Sequence, residues 1–377
     1  MPWKESSRMS SRLEFVMLAE APGSNMKALC QSFGVSRKTG YKWLDLYRTH
    51  GAQGLQERSR RPLSSPKRCS AEVEAAVLAL HDKYPCWGAR KLKALLPEAA
   101  GKPHPNTIAA ILRRHGRQLV PHVDQTSPAK GRFEHEEPNS LWQMDFKGHF
   151  ALTNSAAGRC HPLTVLDGHS RFSLCLAACS GEDGPQVKAA LTQTFLMYGL
   201  PQRITCDNGA PWGTAGHGTI SRLEVWLIRL GIRISHSRPH HPQTQGKDER
   251  FHRTLKRELL ARYGFGSIGA CQDAFNAWRD QYNLVRPHEA LSQQAPITRY
   301  QPSARSFPAH LPSVEYDDGE IVRKVQRHGQ ISFNGRSYFV GEGLYQEPVA
   351  VRPTEQDGIF NVIFCDREVG QINLTSR

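Results

Sequence analysis

Short helical patterns fill the first third of the chain, and basic or proline-rich stretches separate them. Residues 8–57 predict several short helices, in which Ser36 can cap a helix that extends through Tyr47. Three basic residues project from the side opposite its apolar face: Arg37, Lys38 and Lys42. A helix, a glycine-containing turn and a basic second helix are typical of a helix-turn-helix module, although an ordinary helical hairpin has the same pattern. Gly40, inside the second helix, weakens the prediction.

The same theme repeats after a basic linker at residues 58–69. Residues 70–117 predict three more helices, the first of them capped by Ser70. We interpret this repeat of the helical pattern as a second helix-turn-helix module. A tandem pair would cover a longer DNA site than one module can. Residues 118–138 are polar and rich in proline and glycine, which indicates a linker.

From residue 139 the pattern changes to short apolar strands. Residues 139–265 predict the order β-β-β-α-β-α-β-α, which is typical of an α/β domain. Residues 266–300 continue it as a helical extension, and residues 301–317 form a linker. Residues 318–377 hold short strands with tight turns, which favour a small β-barrel of SH3-like type. The predicted fold class is therefore multidomain, with helical modules, an α/β core and a terminal barrel.

One predicted helix of the core combines an apolar stripe with a charged face. Phe251, Leu255 and Leu259 recur at helical spacing and should pack inward. The charged face consists of four residues: Glu249, His252, Arg253 and Lys256. A solvated helix with a few ion pairs would give the same pattern. The alternative is a functional carboxylate at Glu249 with phosphate-binding residues beside it. We predict that His252, Arg253 and Lys256 bind DNA phosphates.

Composition and charge narrow the class of partner. The net charge is +14 and the pI is about 9.5, so a polyanion is expected, with nucleic acid ahead of an anionic membrane surface. No apolar run is long enough to cross a bilayer, and the first residues do not resemble a signal peptide, so we expect a cytoplasmic protein. Nine cysteines without paired spacing indicate reduced thiols. A zinc site can be drawn from four residues, but their spacing fits no common pattern: Cys69, Cys86, His104 and His115.

Three acidic residues lie where an α/β sheet collects its functional groups. Asp145 is on the first predicted strand, Asp207 ends the fourth, and Glu249 is on the helix after the fifth. Clustered carboxylates repel each other unless a cation lies between them, and oxygen ligands favour Mg²⁺, with Mn²⁺ as a substitute. Two such ions can activate a nucleophile and stabilise the leaving oxygen of a phosphodiester. Asp167 is a rival for the first position, although Asp167-Gly168 already suits a hairpin turn.

Three motifs together resemble a known family. These are Asp207-Asn208-Gly209, the run Pro-Gln-Thr-Gln-Gly-Lys-Asp-Glu-Arg-Phe that ends at Phe251, and Arg286-Pro287-His288. They are similar to those of insertion-sequence DDE transposases with a retroviral-integrase-like core, over about residues 10–300. The resemblance implies an RNase H-like fold for the core.

The same resemblance implies a metal site made of Asp145, Asp207 and Glu249, because the family's glutamate lies three residues after the motif glycine, here Gly246. Asp248 is adjacent but one helical position out of phase.

The implied activity is that of a DNA transposase. It would cleave the ends of an insertion element and join them to target DNA, using two Mg²⁺ ions. The helix-turn-helix modules would bind terminal inverted repeats, with Arg37, Lys38 and Lys42 on the recognition helix. At least a dimer is expected, because two ends must be joined. We also expect the protein to associate with the bacterial nucleoid. A DNA-binding regulator with an inactive core and a structure-selective nuclease remain as alternatives.

Overall fold

The computed structural model describes most of the chain in two compact units, residues 1–68 and 69–377. The described residues are 8–57, 68–98, 101–117, 135–154, 156, 158–207, 209, 211–212, 220–236 and 246–375. None of the nine cysteines, all of which lie in these ranges, forms a disulfide. No helix in the described ranges is long and apolar enough to cross a membrane.

The first unit contains three helices around a small apolar core: α1 (Arg8–Glu20), α2 (Met26–Ser32) and α3 (Arg37–His50). Ser36 caps α3 as predicted, since its hydroxyl accepts a hydrogen bond from the Thr39 amide at 3.2 Å. Gly40 is buried where α3 crosses α1 and α2. A Cβ at Gly40 would lie 2.6 Å from Sγ of Cys30 and 2.8 Å from Cζ of Phe15. The glycine that weakened the sequence prediction is therefore what lets these helices approach.

Residues 69–117 begin the second unit with three further helices: α4 (Ala71–Lys83), α5 (Ala89–Leu95) and α6 (Pro105–Arg114). Ser70 caps α4 as predicted, by accepting the Val73 amide. The helices enclose a separate core that includes stacked Tyr84 and Trp87 rings, 4.0 Å apart. Val285, from the end of the α/β core, packs against this cluster, so the module is joined to the core by apolar contact.

A mixed sheet forms the centre of the second unit. Its strands are β1 (Trp142–Phe146), β2 (Phe150–Ala151), β3 (Arg159–Asp167), β4 (Ser173–Cys179), β5 (Arg203–Cys206) and β6 (Arg233–His236). Antiparallel β3 lies between β1 and β4, whereas β1, β5 and β6 are parallel. The short strand β2 pairs with β3. The predicted order of strands and helices is confirmed, and β2 is an addition that its length of two residues hid from the pattern.

Four helices pack against the sheet through two apolar clusters. These helices are α7 (Gly184–Tyr198), α8 (Arg222–Arg229), α9 (Gly246–Leu255) and α10 (Ile268–Asp280). One cluster involves α7 and α8, and the other involves α9 and α10. Phe251, Leu255 and Leu259 are all buried in the second cluster, which confirms the predicted apolar stripe. Single π-helical turns extend α9 through Leu260 and α10 through Val285.

The terminal β module lies against the core through α8. Its strands are β7 (Ile321–Lys324), β8 (Gln330–Phe333), β9 (Arg336–Phe339), β10 (Pro348–Pro353), β11 (Ile359–Phe364) and β12 (Arg367–Asn373). They form a four-stranded sheet in the order β12-β11-β10-β7 and a separate β8-β9 hairpin. Val225 and Ile228 of α8 belong to the same apolar cluster as both sheets. Among the described strands, no hydrogen-bonded pairing closes the two sheets into a barrel.

Candidate active site

The strand register sets the first two predicted carboxylates side by side. Trp142 of β1 is opposite Ile204 of β5, and Gln143 is opposite Thr205. Continuing this parallel register by two residues places Asp145 level with Asp207. Neighbouring strands are about 4.8 Å apart, so residues level with each other can share a site when their side chains leave the sheet on the same side. The register of the parallel strands β1 and β5 therefore accounts for the predicted proximity of Asp145 and Asp207.

The pKa of Asp145 agrees with a position close to Asp207. Burial and, secondarily, the negative charge of Asp207 together raise the pKa of Asp145 to about 6. Glu182, in the loop after β4, adds a smaller repulsion. Two carboxylates that disfavour each other's charge are poised to accept a cation, because the cation relieves the repulsion that burial strengthens.

Two neighbouring acidic residues at the start of α9 face different surroundings. Glu249 is exposed, whereas Asp248 is only 2% exposed. Burial, together with the charge of Asp145, raises the pKa of Asp248 well above its usual range. Oδ1 of Asp248 has no hydrogen-bond partner among the described residues. Within that same part of the chain, the ligand oxygens of Asp145, Asp207 and Glu249 do not all lie within 4.8 Å of one another.

A hydrogen-bonded pair fixes α9 against the strand that carries Asp145. The Thr164 hydroxyl of β3 donates to the carbonyl oxygen of Asp145 at 2.9 Å, and it lies 2.8 Å from Nε2 of His252. Since a hydroxyl has one proton to donate, Nε2 of His252 is the donor in the second bond. Nδ1 of His252 then faces Oδ2 of Asp145 at 4.0 Å. Burial, and secondarily Lys147, lowers the pKa of His252 to about 4, so the ring is neutral at pH 7.

Asp207 is held by a second pair that no sequence motif indicated. Nδ1 of His236, at the end of β6, lies 2.9 Å from the carbonyl oxygen of Asp207. Nε2 of the same ring lies 2.9 Å from Oε1 of the buried Glu224 on α8. The ring is therefore held between the Asp207 carbonyl and the Glu224 carboxylate. Oδ1 of Asp207 accepts a hydrogen bond from the Gly209 amide at 3.1 Å.

Asp167, the rival for the first carboxylate, has a structural role. It is fully buried, and its oxygens accept hydrogen bonds from the Asn139 amide and from the amide and hydroxyl of Ser170. The Ser170 bonds close the turn between β3 and β4, and the Asn139 bond ties the segment before β1 to the end of β3. The first turn of α9 also reaches this turn, because Lys247 donates to the carbonyl oxygen of Gly168 at 2.6 Å.

The predicted DNA-binding residues divide by exposure. Five are exposed, as a phosphate contact requires: Arg37, Lys38, Lys42, Arg253 and Lys256. His252 is only 9% exposed and bonded to Thr164, which does not favour the phosphate contact predicted for it. Asn208 and residues 237–245, the proline-rich part of the motif before α9, lie outside the described residues.

Three residues of the drawn zinc site have other partners. Nδ1 of His104 caps α6 by accepting the Asn106 amide, and Nε2 of His115 lies 3.1 Å from the buried Glu74. The Cys86 thiol lies 3.6 Å from the carbonyl oxygen of Arg257. The described residues contain no metal-capable cluster that includes any of the four.

Comparisons with known proteins bear on each part of the chain. Two models described as "Integrase core domain" match residues 135–242 and 230–296. "Homeodomain-like domain" matches residues 39–112, "Helix-turn-helix domain" matches residues 11–62, and "IS481 family transposase, C-terminal domain" matches residues 320–377. The helix-turn-helix and integrase-core predictions are thereby confirmed. The SH3-like form of the terminal module and the finer domain boundaries stay predictions.

Two of the curated relatives are proteins of bacterial insertion elements. A 39.2 kDa protein of element IS476 from Xanthomonas euvesicatoria is 30% identical over 159 residues, 42% of this chain and 43% of that protein. A 31.7 kDa protein of element IS407 from Burkholderia multivorans is 28% identical over 187 residues, 50% of this chain and 62% of that protein. The match therefore spans about half the length of these relatives.

Among solved structures, the simian T-cell lymphotropic virus intasome aligns at 16% identity over 79% of this chain and 96% of that one. The TM-score of this alignment is 0.38.

Proposed function

We propose that the chain is an insertion-element transposase with an integrase core, which cuts DNA at the ends of such an element and joins them to a target. In the first reaction a water molecule hydrolyses the phosphodiester at the 3′ end of the element. In the second, the freed 3′-hydroxyl attacks a target phosphodiester and displaces a new 3′-hydroxyl. The observation that carries the proposal is the convergence of Asp145 and Asp207 at the ends of adjacent strands.

The residues at this point suit divalent cations with oxygen ligands. Asp145 and Asp207 would hold them, and Glu249 is proposed as the third ligand because its exposed side chain starts from the adjacent turn of α9. Two Mg²⁺ ions, or Mn²⁺ in their place, would supply an activated nucleophile and charge stabilisation at the leaving oxygen. The raised pKa of Asp145 supports a cation here, because the two carboxylates are costly to hold together without one.

The surrounding residues would orient the reacting groups. Thr164 and His252 fix the backbone and neighbourhood of Asp145, while His236 fixes the backbone of Asp207. Rigid support of this kind matters, since misplacing a catalytic group by 1 Å can cost two orders of magnitude in rate. The exposed Arg253 and Lys256, further along α9, are placed to bind phosphates next to the carboxylates.

The flanking modules would bring DNA and a second subunit to the core. We propose that α3 reads the terminal inverted repeats through Arg37, Lys38 and Lys42, which are all exposed on one helix. The net charge of +14 supports a nucleic-acid partner and an association with the nucleoid. The terminal β module, in which strands β8 to β12 share one core, is proposed as an SH3-like fold that contacts DNA or another subunit. At least two subunits are required to join two ends.

A strand-transfer assay with end DNA and Mg²⁺ tests the carboxylates one at a time. Asp145→Asn, Asp207→Asn and Glu249→Gln should each reduce cleavage and joining by several orders of magnitude while end binding is retained. Asp248→Asn is the matched comparison, because it neutralises the neighbouring carboxyl on the same helical turn. Full joining by Glu249→Gln combined with loss in Asp248→Asn would reassign the third position to Asp248.

The same assay distinguishes the alternatives. A purified wild-type protein that binds ends but never nicks them with Mg²⁺ or Mn²⁺ would be a regulator. Cleavage of branched DNA without joining would indicate a structure-selective nuclease. Either result would overturn the proposed reaction.

A further inference from the structure

A second cluster of side chains that can bind a metal lies near Asp145 but does not include Asp145 or Asp207. It consists of His149, His161 and Glu182. One ligand atom from each residue lies within 4.8 Å of the other two. Nδ1 of His161 is 2.9 Å from Oε1 of Glu182, and the rings of His149 and His161 are 5.1 Å apart between centroids. We propose that these residues form a binding site for a divalent transition-metal ion.

The backbone brings the three residues together. Phe150 of β2 pairs with Cys160 of β3, and continuing this antiparallel register by one residue sets His149 level with His161. His161 is in turn opposite Cys179, the last residue of β4. The chain therefore leaves β4 beside His161 and reaches Glu182 three residues later. Paired strands on both sides of β3 thus determine this cluster.

The donor set determines which ion fits. Two imidazoles and one carboxylate favour Zn²⁺, Fe²⁺, Co²⁺ or Ni²⁺, whereas Mg²⁺ favours oxygen ligands and retained water. Three protein ligands leave a coordination position for water or another group, which is the arrangement of open rather than closed zinc sites. The site is therefore chemically distinct from the carboxylates at Asp145 and Asp207. A different ion can occupy each.

One neighbour competes with a cation. The guanidinium of Arg159 contacts Nε2 of His149. Arg159 is exposed, so it can move into solvent when a metal ion takes its place. Removing its positive charge should strengthen binding, because a cation at His149 would no longer be repelled. A gain in metal affinity on loss of the Arg159 charge would separate a metal site from a simple hydrogen-bonded pair of His161 and Glu182.

The proposed metal site also lies close to Asp145 of the proposed catalytic site. Glu182 repels the charge of Asp145, and His149 lies four residues after Asp145 on the connection from β1 to β2. An ion held by the cluster would offset the charge of Glu182 and tie this connection to the loop before α7. The inference does not rest on the proposed transposase activity, since binding can be measured without DNA.

Calorimetric titration of the full chain with Zn²⁺, in an Asp145→Asn/Asp207→Asn background that disables the carboxylate site, tests the proposal. One Zn²⁺ should bind per chain at pH 7.5. His161→Ala and Glu182→Gln should each weaken binding at least tenfold, and Arg159→Gln should tighten it. His310→Ala, an exposed histidine outside the cluster, is the control and should leave affinity unchanged. Titration with Co²⁺ should give visible absorption bands that the His161→Ala variant lacks.

Two results would overturn the proposal. The first is the absence of stoichiometric Zn²⁺ binding in the background protein. The second is binding that survives both His161→Ala and Glu182→Gln. Circular dichroism and melting temperature, expected to match the background protein in the metal-free state, separate ligand loss from misfolding. A variant that fails this check is replaced by His149→Ala, whose exposed side chain can be removed without disturbing the core.

Discussion

The buried ion pair between Glu258 and Arg286 offers a sharp test of how the second helix-turn-helix module is joined to the core. Nε of Arg286 donates to Oε1 of Glu258 at 2.9 Å, and the two side chains are only 6% and 3% exposed. Directly after this arginine, the carbonyl oxygen of Pro287 accepts a hydrogen bond from Lys91 of α5 at 2.7 Å. The Arg-Pro-His motif therefore lies where the module meets the core.

Arg286→Met keeps the apolar length of the side chain and removes its charge. It leaves Glu258 buried, and Oε2 of Glu258 already has no hydrogen-bond partner among the described residues. Arg257, at 3.7 Å and partly exposed, compensates only weakly. Breaking a buried pair in this way costs about 3–5 kcal/mol of unfolding free energy. Replacing both partners by methionine removes the uncompensated charge, so the double variant should regain most of that loss.

Urea unfolding followed by tryptophan fluorescence measures the effect, together with end binding and cleavage. The matched control is Glu289→Ala, which breaks the Arg90–Glu289 pair at the same contact. Its side chains are 70% and 52% exposed, so the loss should be below about 1 kcal/mol. Equal losses for Arg286→Met and Glu289→Ala, or a double variant no more stable than Arg286→Met, would refute the reasoning.

Three further predictions follow from other parts of the chain. In metal-free protein, Asp145→Asn should raise the unfolding free energy above pH 6 by on the order of 2–3 kcal/mol and have no effect near pH 3.5. The folded wild type binds the extra proton between about pH 4 and 6 and therefore loses stability as pH rises through that range, which urea unfolding across pH can follow. Gly40→Ala should destabilise the first unit by about 1–2 kcal/mol, seen as faster hydrogen exchange in α3, because the clash with Cys30 outweighs the better helix propensity. Arg253→Gln/Lys256→Gln should reduce the slope of log affinity against log salt by about 2 in DNA-binding titrations, and an unchanged slope would remove both residues from the interface.

Much of this molecule could be predicted from local pattern alone. The caps at Ser36 and Ser70 and the stripe of Phe251, Leu255 and Leu259 depend on residues within one or two turns, where sequence spacing fixes geometry. The order of strands and helices in the core followed from the same local periodicity. Asp145 and Asp207 could be proposed as neighbours because the ends of parallel strands gather at one edge of a sheet.

Only the tertiary structure decided which side chains are buried or paired across elements. Spacing alone set His252 with the exposed basic residues, but packing of α9 against β3 buries it on Thr164. Asp248 and Glu249 are adjacent in sequence, and the rotation of α9 makes one buried and the other exposed. Gly40 weakened a helix by propensity, yet it permits the close crossing of three helices. His236, Thr164 and the cluster around His161 had no local signal, because their partners arrive from distant strands through register that no single segment encodes.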